Sequence, residues 1–441
     1  MKINRIILLI FSALFVQSCL EVQGTYDGPT PGPWRAVLKL ETEFISKNKK
    51  GAPLPEKVSV KFKDVDEKQL PFNFNVRYDE QNQLQIEIIN ADEKILVKEI
   101  NIGRDRRTAR DTIEIDFPIY DSTIKAVYRG GIMEGEWIVH NKKNYSIPFV
   151  ARQGKTERFT IQKNKPIADL SGKWKVNFDA DKENPYVGIG EFEQKGNHLQ
   201  GTFLTETGDY RFLEGTVQGD KMYLSCFDGS HAFLFTADID EDNMLRGLFR
   251  SGKHYQSYWE ASRDEDFVLT SPDSLTYLKE GFDKISFNFK SPDGRHISLE
   301  DEIYNDKVKI VQIFGTWCPN CRDEAKFLVD YFNEYPNDDL KIIGLAFEKH
   351  KEEEKYMRAL STYKEKLNIP YDLVYAGPSN KTEAAKSLPM LNKIISYPTM
   401  IFVDRNDQVR RIHTGFSGPA TSEYQDFTKD FKSYVQNLLN E

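Results

Sequence analysis

The stretch Trp317-Cys318-Pro319-Asn320-Cys321 constrains the fold more than any other part of the 441-residue chain, because it separates two patterns of different period. Residues 309–315 (KIVQIFG) are rich in Val, Ile and Phe, as in a buried parallel strand. Residues 321–332 (CRDEAKFLVDYF) place apolar side chains at helical spacing. The sequence therefore predicts a buried strand, a short turn and a helix that begins at the two cysteines.

This position gives Cys318 the chemistry of a reactive thiol. The first N–H groups of a helix have no partner within the helix, and the positive end of the helix dipole favours a thiolate over a thiol. Pro319 suits the first helical turn. We therefore expect Cys318 to be the nucleophile of a redox-active dithiol/disulfide pair, with Cys321 as the second thiol.

Zinc binding and haem attachment also use two cysteines separated by two residues. A tetrahedral zinc site would need two further ligands, but the other cysteines, Cys19 and Cys226, are far away in sequence and the seven histidines show no ligand spacing. Haem attachment needs a histidine directly after the second cysteine, where this chain has Arg322. The motif therefore predicts redox chemistry without a metal or another cofactor.

The amino terminus has the pattern of an export signal. Lys2 and Arg5 precede an apolar run over residues 6–16, which suits the core of a signal peptide but is shorter than the ~20 residues of a membrane span. The run leads into VQSC, which resembles the lipobox of bacterial lipoproteins, so we predict a signal peptide over residues 1–18 and lipidation at Cys19. An ordinary secretory signal that leaves a free thiol is the alternative.

The residues after the lipidation site bear on location and partners. Residues 19–33 are rich in Gly and Pro and predict a flexible tether to the membrane. Leu20, rather than an aspartate, follows Cys19, which favours the outer membrane and a chain that faces the periplasm. That compartment is oxidising, so a reactive dithiol there needs its own electron source or sink. The net charge of −8 argues against a nucleic-acid partner.

Alternating polar and apolar residues, broken by Asn, Asp and Gly turns, predict two all-β modules, module 1 over residues 34–163 and module 2 over residues 164–263. We interpret them as an internal repeat, each copy a barrel or a sandwich. The matching segments are Gly32-Pro33-Trp34-Arg35 with Gly172-Lys173-Trp174-Lys175, Asn82-Gln83-Leu84-Gln85 with Asn197-His198-Leu199-Gln200, and Gly135-Glu136-Trp137 with Gly247-Leu248-Phe249, followed by Tyr145 and Ala151 with Tyr255 and Ala261. A charged linker with a short helical segment is expected over residues 264–282.

Two features of module 2 have both a functional and a structural interpretation. Its aromatic side chains either line a ligand cavity or fill the core, and their alternation along strands favours the core. They are Tyr210, Phe212, Tyr223, Phe227, Phe233 and Phe235. Cys226 is either a regulatory thiol or a small buried hydrophobe, and its apolar strand favours the latter.

Residues 283–441 predict an α/β domain. A hairpin turns at residues 292–294, the strand–cysteine–helix stretch leads to a second strand over residues 341–347, and two further strands precede a closing helix that begins at about Ser422. Ser422 and Gln425 are expected to form a capping box at the start of that helix. This is the element order of a thioredoxin fold.

The domain resembles the membrane-tethered thioredoxin-like proteins of the TlpA and ResA type, because it shares W-C-x-x-C, a glutamate three residues after the second cysteine and a later x-Pro-Thr. We expect Glu324 to accept the proton of Cys321 when a mixed disulfide is resolved; a solvated glutamate on the helix surface is the alternative. The resemblance also implies a cis peptide bond before Pro398, with a trans proline at a strand start as the alternative. The substrate groove that it implies consists of Trp317, Pro319, Tyr397, Pro398, Thr399 and Gly415.

Two positions depart from the pattern of the family. Thioredoxin has a buried aspartate six residues before the first cysteine, where this chain has Gln312, which cannot take up a proton. The family tends to have a proline five residues after the second cysteine, where this chain has Lys326, so the residue that usually kinks this helix is missing.

Together these observations predict a lipid-anchored thiol–disulfide oxidoreductase of the cell envelope. By resemblance it reduces disulfides of exported proteins and is recharged by a transmembrane electron donor, whereas the same chemistry in reverse makes an oxidant. One alternative is a peroxiredoxin-like peroxidase, although the P-x-x-x-[ST]-x-x-C pattern is absent before Cys318. The other is an envelope lipoprotein whose β-modules bind a ligand or partner, with an accessory redox domain.

Overall fold

The computed structural model describes residues 28–41 and 65–441. The predicted signal peptide, the lipidation site Cys19 and most of the predicted tether lie outside these ranges, so they stay predictions. Within the described ranges, no helix is long and apolar enough to cross a membrane. The described chain folds into two antiparallel β-modules followed by a mixed α/β domain, which confirms the predicted fold class.

Module 1 is a nine-stranded antiparallel sheet that forms an open half-barrel. Its strand order is β4-β3-β2-β1-β9-β8-β7-β6-β5, which leaves β4 and β5 as edges of the sheet in the described chain. The strands are β1 (Gly32–Lys39), β2 (Gln69–Tyr78), β3 (Leu84–Asn90), β4 (Glu93–Val97), β5 (Ile100–Asp105), β6 (Arg110–Phe117), β7 (Ser122–Arg129), β8 (Ile132–Val139) and β9 (Ser146–Gln153).

Module 2 is a closed barrel, because β12 pairs both with β11 and with β14. The short strand β13 pairs with β12 alone, so eight strands form the ring. The strands are β10 (Gly172–Phe178), β11 (Tyr186–Lys195), β12 (His198–Thr205), β13 (Gly208–Asp209), β14 (Leu213–Gln218), β15 (Lys221–Phe227), β16 (Ala232–Ile239), β17 (Leu245–Ser251) and β18 (Tyr255–Arg263).

Residues matched by the internal repeat make the same contacts in both modules. The indole N–H of Trp34 donates to the carbonyl oxygen of Thr30 at 3.0 Å, and that of Trp174 donates to Leu170 at 2.9 Å, four residues upstream in each case. The strand pairing also agrees between the two modules. Ala36 lies opposite Ala151 in module 1, and Val176 lies opposite Ala261 in module 2; Ala36 and Val176 each follow the matched tryptophan by two residues.

An aromatic side chain of the barrel completes the core of the half-barrel. The ring of Phe227, at the end of β15, stacks on Phe72 with ring centroids 4.3 Å apart. Trp137 and Phe117 meet the same ring edge-on at 5.2 and 5.9 Å. The structural interpretation of the aromatics is confirmed for Tyr223, Phe227, Phe233 and Phe235, all of which are buried in one core or the other.

The carboxy-terminal domain contains a seven-stranded mixed sheet in the order β20-β19-β23-β22-β21-β24-β25. The central strands β21, β22 and β23 are parallel, and β24 is antiparallel to β21. The strands are β19 (Asn288–Lys290), β20 (His296–Ser298), β21 (Val308–Phe314), β22 (Leu340–Glu348), β23 (Asp372–Pro378), β24 (Thr399–Val403) and β25 (Val409–Thr414). The α-helices in the described ranges are α1 (Pro272–Leu275), α2 (Pro319–Glu334), α3 (Glu353–Lys366), α4 (Lys381–Ser387) and α5 (Tyr424–Asn440).

The short helical segment predicted in the linker is present as α1, and Asp273 in this helix accepts a hydrogen bond from the His413 ring of β25 at 2.8 Å. The predicted capping box is wrong, because α5 begins at Tyr424 after Glu423, whose side chain makes no capping bond. The hydroxyl of Ser422 donates instead to the carboxylate of Glu191 in module 2 at 2.6 Å, since that stronger acceptor lies next to it.

Candidate active site

The two cysteines lie where the sequence pattern predicts them. Strand β21 is buried along its whole length and ends at Phe314, and α2 begins five residues later, at Pro319, with Cys318 as its N-cap residue. The N–H of Cys321 donates to the sulfur of Cys318 at 3.2 Å, and the two residues form a disulfide. Only 6% of Cys318 is exposed, and Cys321 is fully buried. The disulfide therefore has one face, that of Cys318, toward the surface.

The predicted groove residues lie together on that face. The peptide bond between Tyr397 and Pro398 is cis, and the carbonyl oxygen of Tyr397 lies 3.5 Å from the sulfur of Cys318. The N–H of Gly415 donates to the carbonyl oxygen of Pro398 at 2.9 Å. The ring of Trp317 meets the Tyr397 ring edge-on at 5.7 Å. Two further predicted groove residues lie at the start of a neighbouring element: Pro319 is the first residue of α2, and Thr399 is the first residue of β24.

A buried carboxyl group lies one helical turn beyond Cys321. Glu324 is fully buried, and the side-chain amide of Gln312 on β21 donates to its Oε2 at 2.8 Å. Its Oε1 has no hydrogen-bond partner among the described residues. Burial raises the pKa of Glu324 to about 8, against the hydrogen bond from Gln312, which lowers it. The solvated alternative for Glu324 is thus wrong, and the group is an acid that exchanges its proton near neutral pH.

A second buried carboxyl group was not predicted from the sequence. Glu348 ends β22 and accepts hydrogen bonds at 2.9 Å from both the N–H and the hydroxyl of Thr316, the residue before Trp317. Burial raises the pKa of Glu348 to about 7, against the hydrogen bonds from Thr316. The only sequence signal was a charged residue at the end of a strand that is apolar from Ile342 to Phe347. Glu348 fixes the turn that carries the first cysteine.

The tryptophan of the motif is held from two sides. The indole N–H of Trp317 donates to the carbonyl oxygen of Phe347 at 3.0 Å. The ammonium group of Lys349 lies 4.0 Å from the centre of its ring, within the range of a cation–π contact. Burial and the neighbouring Lys142 of module 1 lower the pKa of Lys349 to about 8. The electrostatic surroundings of Trp317 therefore include a residue from another module.

Module 2 covers the exposed face of the disulfide. We call residues 205–210, which connect β12 to β14 and include β13, the groove loop. The hydroxyl of Ser396 donates to the carbonyl oxygen of Thr207 at 2.7 Å, and the amide of Asn320 donates to that of Asp209 at 3.1 Å. The N–H of Gly418 donates to the Asp209 carboxylate at 2.7 Å. These contacts place the groove loop against the turn before Pro398, the first turn of α2 and Gly418.

Arg211, directly after the groove loop, joins all three parts of the chain. It is 2% exposed and pairs with Glu93 of module 1, with Asp228 of module 2 and with Asp323 of α2. Its Nε lies 3.6 Å from the Asp228 carboxylate. Asp323 is two residues beyond Cys321, so this cluster attaches the β-modules directly to the helix of the redox motif.

Part of the chain is similar to known proteins. Residues 283–412 match the model of the AhpC/TSA family. Among solved structures, a thiol:disulfide interchange protein of the thioredoxin family from Chlorobium tepidum TLS is 22% identical over 36% of this chain and 98% of that chain, with a TM-score of 0.28. A thiol-disulfide oxidoreductase from Bacteroides fragilis NCTC 9343 is 18% identical over 33% of this chain and 98% of that chain, with a TM-score of 0.25. A DsbF homologue from Corynebacterium diphtheriae is 21% identical over 38% of this chain and 98% of that chain, with a TM-score of 0.28.

No curated protein matches the chain. The family match and the observed fold identify residues 283–412 as a thioredoxin-like domain that matches the AhpC/TSA family, and this domain carries the cysteine pair Cys318–Cys321. The two β-modules lie outside the residues that match the family.

Proposed function

We propose that this chain is a lipid-anchored envelope enzyme that reduces disulfide bonds of exported proteins. The observation that carries the proposal is the disulfide between Cys318 and Cys321 at the start of α2, with the buried acid Glu324 behind it. A helix N-terminus favours the thiolate that attacks, and a nearby acid of suitable pKa moves the proton that the exchange requires.

The reaction starts from the reduced dithiol. The thiolate of Cys318 attacks one sulfur of a substrate disulfide, which forms a mixed disulfide and releases the other substrate sulfur as a thiolate. Cys321 then loses its proton and attacks the sulfur of Cys318, which releases the second substrate thiolate. The products are a reduced substrate and the enzyme disulfide, so two electrons have passed to the substrate.

Glu324 is suited to both halves of this cycle. In the resolving step its carboxylate accepts the proton of Cys321. When a donor dithiol later attacks Cys318 in the oxidised enzyme, Cys321 leaves as a thiolate and the protonated Glu324 returns the proton. A pKa of about 8 lies close to that of a thiol, so neither transfer is strongly uphill.

Location and electron supply complete the proposal. The lipobox-like sequence at Cys19 and the following Leu20 favour an anchor in the outer membrane, with the modules facing the periplasm. Because that compartment is oxidising, the dithiol is recharged by a transmembrane electron donor. The direction of electron flow depends on the reduction potential of the pair against that of the donor, so a redox titration of the purified chain tests it.

Turnover of the purified chain tests the proposed chemistry. After reduction, the wild-type chain is expected to reduce an aromatic small-molecule disulfide and a protein disulfide, the Cys318→Ser variant neither, and the Cys321→Ser variant to react once and stop. A reduced wild-type chain that leaves both disulfides intact would contradict the proposal. Added hydrogen peroxide tests the peroxidase alternative, because a peroxidase consumes it faster than it exchanges disulfides.

A further inference from the structure

The groove loop occupies the place where a substrate chain is expected to lie. Its main chain packs on Gly415, where an added Cβ would lie 3.2 Å from the carbonyl oxygen of Glu206 and 3.3 Å from the carbonyl carbon of Thr207. Gly415 and Pro398 are joined by a backbone hydrogen bond, and Pro398 follows the carbonyl group that faces Cys318. The loop therefore lies along the groove itself rather than beside it.

The groove holds the loop mostly through its backbone. Two side-chain donors, Ser396 and Asn320, bind main-chain carbonyl oxygens of residues 207 and 209. Such contacts do not depend on the side chains of the bound segment, which suits a site that accepts different protein chains. A side chain of the loop adds one further hydrogen bond, since the carboxylate of Asp209 accepts from the N–H of Gly418.

The conformation in which the groove loop fits the groove depends on one glycine. Gly208 has a φ of +128°, and an added Cβ there would collide with the side-chain amide of Asn320. Within the loop, the hydroxyl of Thr205 donates to the carbonyl oxygen of Gly208 at 3.0 Å, and the N–H of Arg211 donates to the Asp209 carboxylate at 2.7 Å. The loop is thus folded by its own bonds into a form that fits against the redox motif.

We propose that the groove loop is an internal occupant of the substrate groove, and that Ser396, Asn320 and the Gly418 N–H bind an incoming substrate segment after the loop has moved out. This inference rests on the proposed function. The loop indicates the substrate class: an extended segment beside the substrate disulfide, with a small residue opposite Asn320 and an acidic residue opposite Gly418. A protein disulfide reaches Cys318 only in the open form, whereas a small disulfide is hindered less.

The proposal is tested with the full chain carrying Gly208→Ala, which strains the positive-φ backbone of the loop and displaces the amide of Asn320, so that the loop is held less tightly in the groove. The matched control is Gly219→Ala, because Gly219 also has a positive φ, lies in module 2 and has no atom within 4 Å of an added Cβ. We measure the rate at which each reduced chain reacts with a protein disulfide, divided by its rate with an aromatic small-molecule disulfide. Gly208→Ala is expected to raise this ratio about tenfold, and Gly219→Ala to leave it unchanged.

A second measurement does not depend on turnover. The rate at which a polymer-linked maleimide alkylates Cys318, divided by the rate for a small maleimide, should rise by a similar factor in Gly208→Ala. Asp209→Ala adds no atoms and removes the acceptor of the Gly418 bond, so it serves as an independent opening variant with the same expected direction. Unchanged ratios in both variants would overturn the inference and leave the proposed function standing. If the reduced chains attacked neither disulfide, the inference and the proposed function would both be contradicted.

The binding role of Ser396 needs its own test. In the open Gly208→Ala chain, Ser396→Ala removes a donor to the substrate backbone, so KM for the protein disulfide is expected to rise several-fold with little change in kcat. If KM instead stays constant while kcat falls, Ser396 acts only through the structure of the Tyr397–Pro398 turn. Its assignment to substrate binding would then be wrong.

Discussion

Glu324 is the residue on which the proton chemistry of the proposed reaction depends. It is fully buried, it shares one hydrogen bond with Gln312, and its second oxygen has no partner among the described residues. A carboxyl group in such surroundings stays protonated at neutral pH unless a strong base is near. In the proposed reaction, the thiolate of Cys321, one helical turn away, acts as that base.

Replacement of this acid should slow the reduction of the enzyme disulfide. Glu324→Gln keeps the shape and the hydrogen bond but cannot donate a proton to Cys321, so the rate is expected to fall about 100-fold. Because the pKa of Glu324 is raised to about 8, the proton is present below pH 8 and is lost above it. The ratio of the wild-type rate to the Glu324→Gln rate should therefore fall as the pH rises from 7 to 9, in assays with a donor dithiol at constant thiolate concentration. A rate ratio independent of pH would contradict the role of Glu324 as the proton donor.

The same substitution should change the pH dependence of stability. The folded chain holds the proton of Glu324 up to a higher pH than the unfolded chain does, so stability falls as the pH rises from the unfolded value of about 4.5 through 8. Each pKa unit corresponds to about 1.4 kcal/mol, which makes the loss a few kcal/mol. Glu324→Gln is expected to match wild type at pH 5 and to resist urea better at pH 9. Equal urea midpoints at pH 9 would contradict this.

Some residues of the site can be predicted from the sequence and others cannot. The cysteines, Pro398 and Glu324 belong to short patterns with fixed spacing, so a single sequence indicates them. Glu348 and Ser396 do not, because their roles arise from where β22 ends and from what packs against the turn before β24. Only the three-dimensional arrangement assigns those two residues to the site.

At the scale of elements, the close approach of neighbouring strands in both modules depends on glycines. An added Cβ at Gly247 in β17 would collide with the backbone of Thr236 in β16, and the matched residue Gly135 in β8 has the same relation to Lys125. Close packing of this kind tolerates no added methyl group unless the strands separate.

Gly247→Ala should therefore destabilise module 2 by about 1–3 kcal/mol. Gly103→Ala in β5 is the matched control, because the nearest atom to its added Cβ is the flexible hydroxyl of Thr112 at 3.1 Å. Urea unfolding monitored by tryptophan fluorescence provides the comparison. Equal midpoints for the two variants would show that the strands adjust without cost.

The sequence pattern predicts the type and order of the elements but not how all of the strands pair. Alternation predicts strands, and the order of elements in the redox domain follows from it. Alternation does not indicate which strands close a ring, so the difference between the half-barrel and the barrel was not predictable: it depends on the pairing of β12 with β14. The capping box failed for a related reason, since Glu191 from another module binds Ser422.

At the scale of the whole molecule, Arg211 holds the modules against the redox helix. Its three carboxylate partners come from both β-modules and from α2; Arg211 and Asp228 are buried, and Glu93 and Asp323 are 14% and 16% exposed. Contacts of this kind leave no periodic signal in the sequence, so neither Arg211 nor the groove loop was predicted from it. They become visible only when the modules are placed together.

Removal of this guanidinium group should cost far more than removal of a surface charge. Arg211→Ala leaves Glu93, Asp228 and Asp323 without their shared cation, and a destabilisation of about 3–5 kcal/mol is expected. Lys125→Ala, which breaks an exposed 2.9 Å pair with Glu114, should cost less than about 1 kcal/mol. Equal urea midpoints for the two variants would mean that water reaches the Arg211 cluster.

Trapping of mixed disulfides tests most directly whether the molecule reduces exported proteins through Cys318. With Cys321→Ser, a mixed disulfide cannot be resolved, so exported proteins that contain cysteine should accumulate on Cys318 in the cell. They should be absent from the double variant that also carries Cys318→Ser. A folded Cys321→Ser chain whose Cys318 reacts with a thiol reagent, but which captures no cysteine-containing protein, would contradict the account.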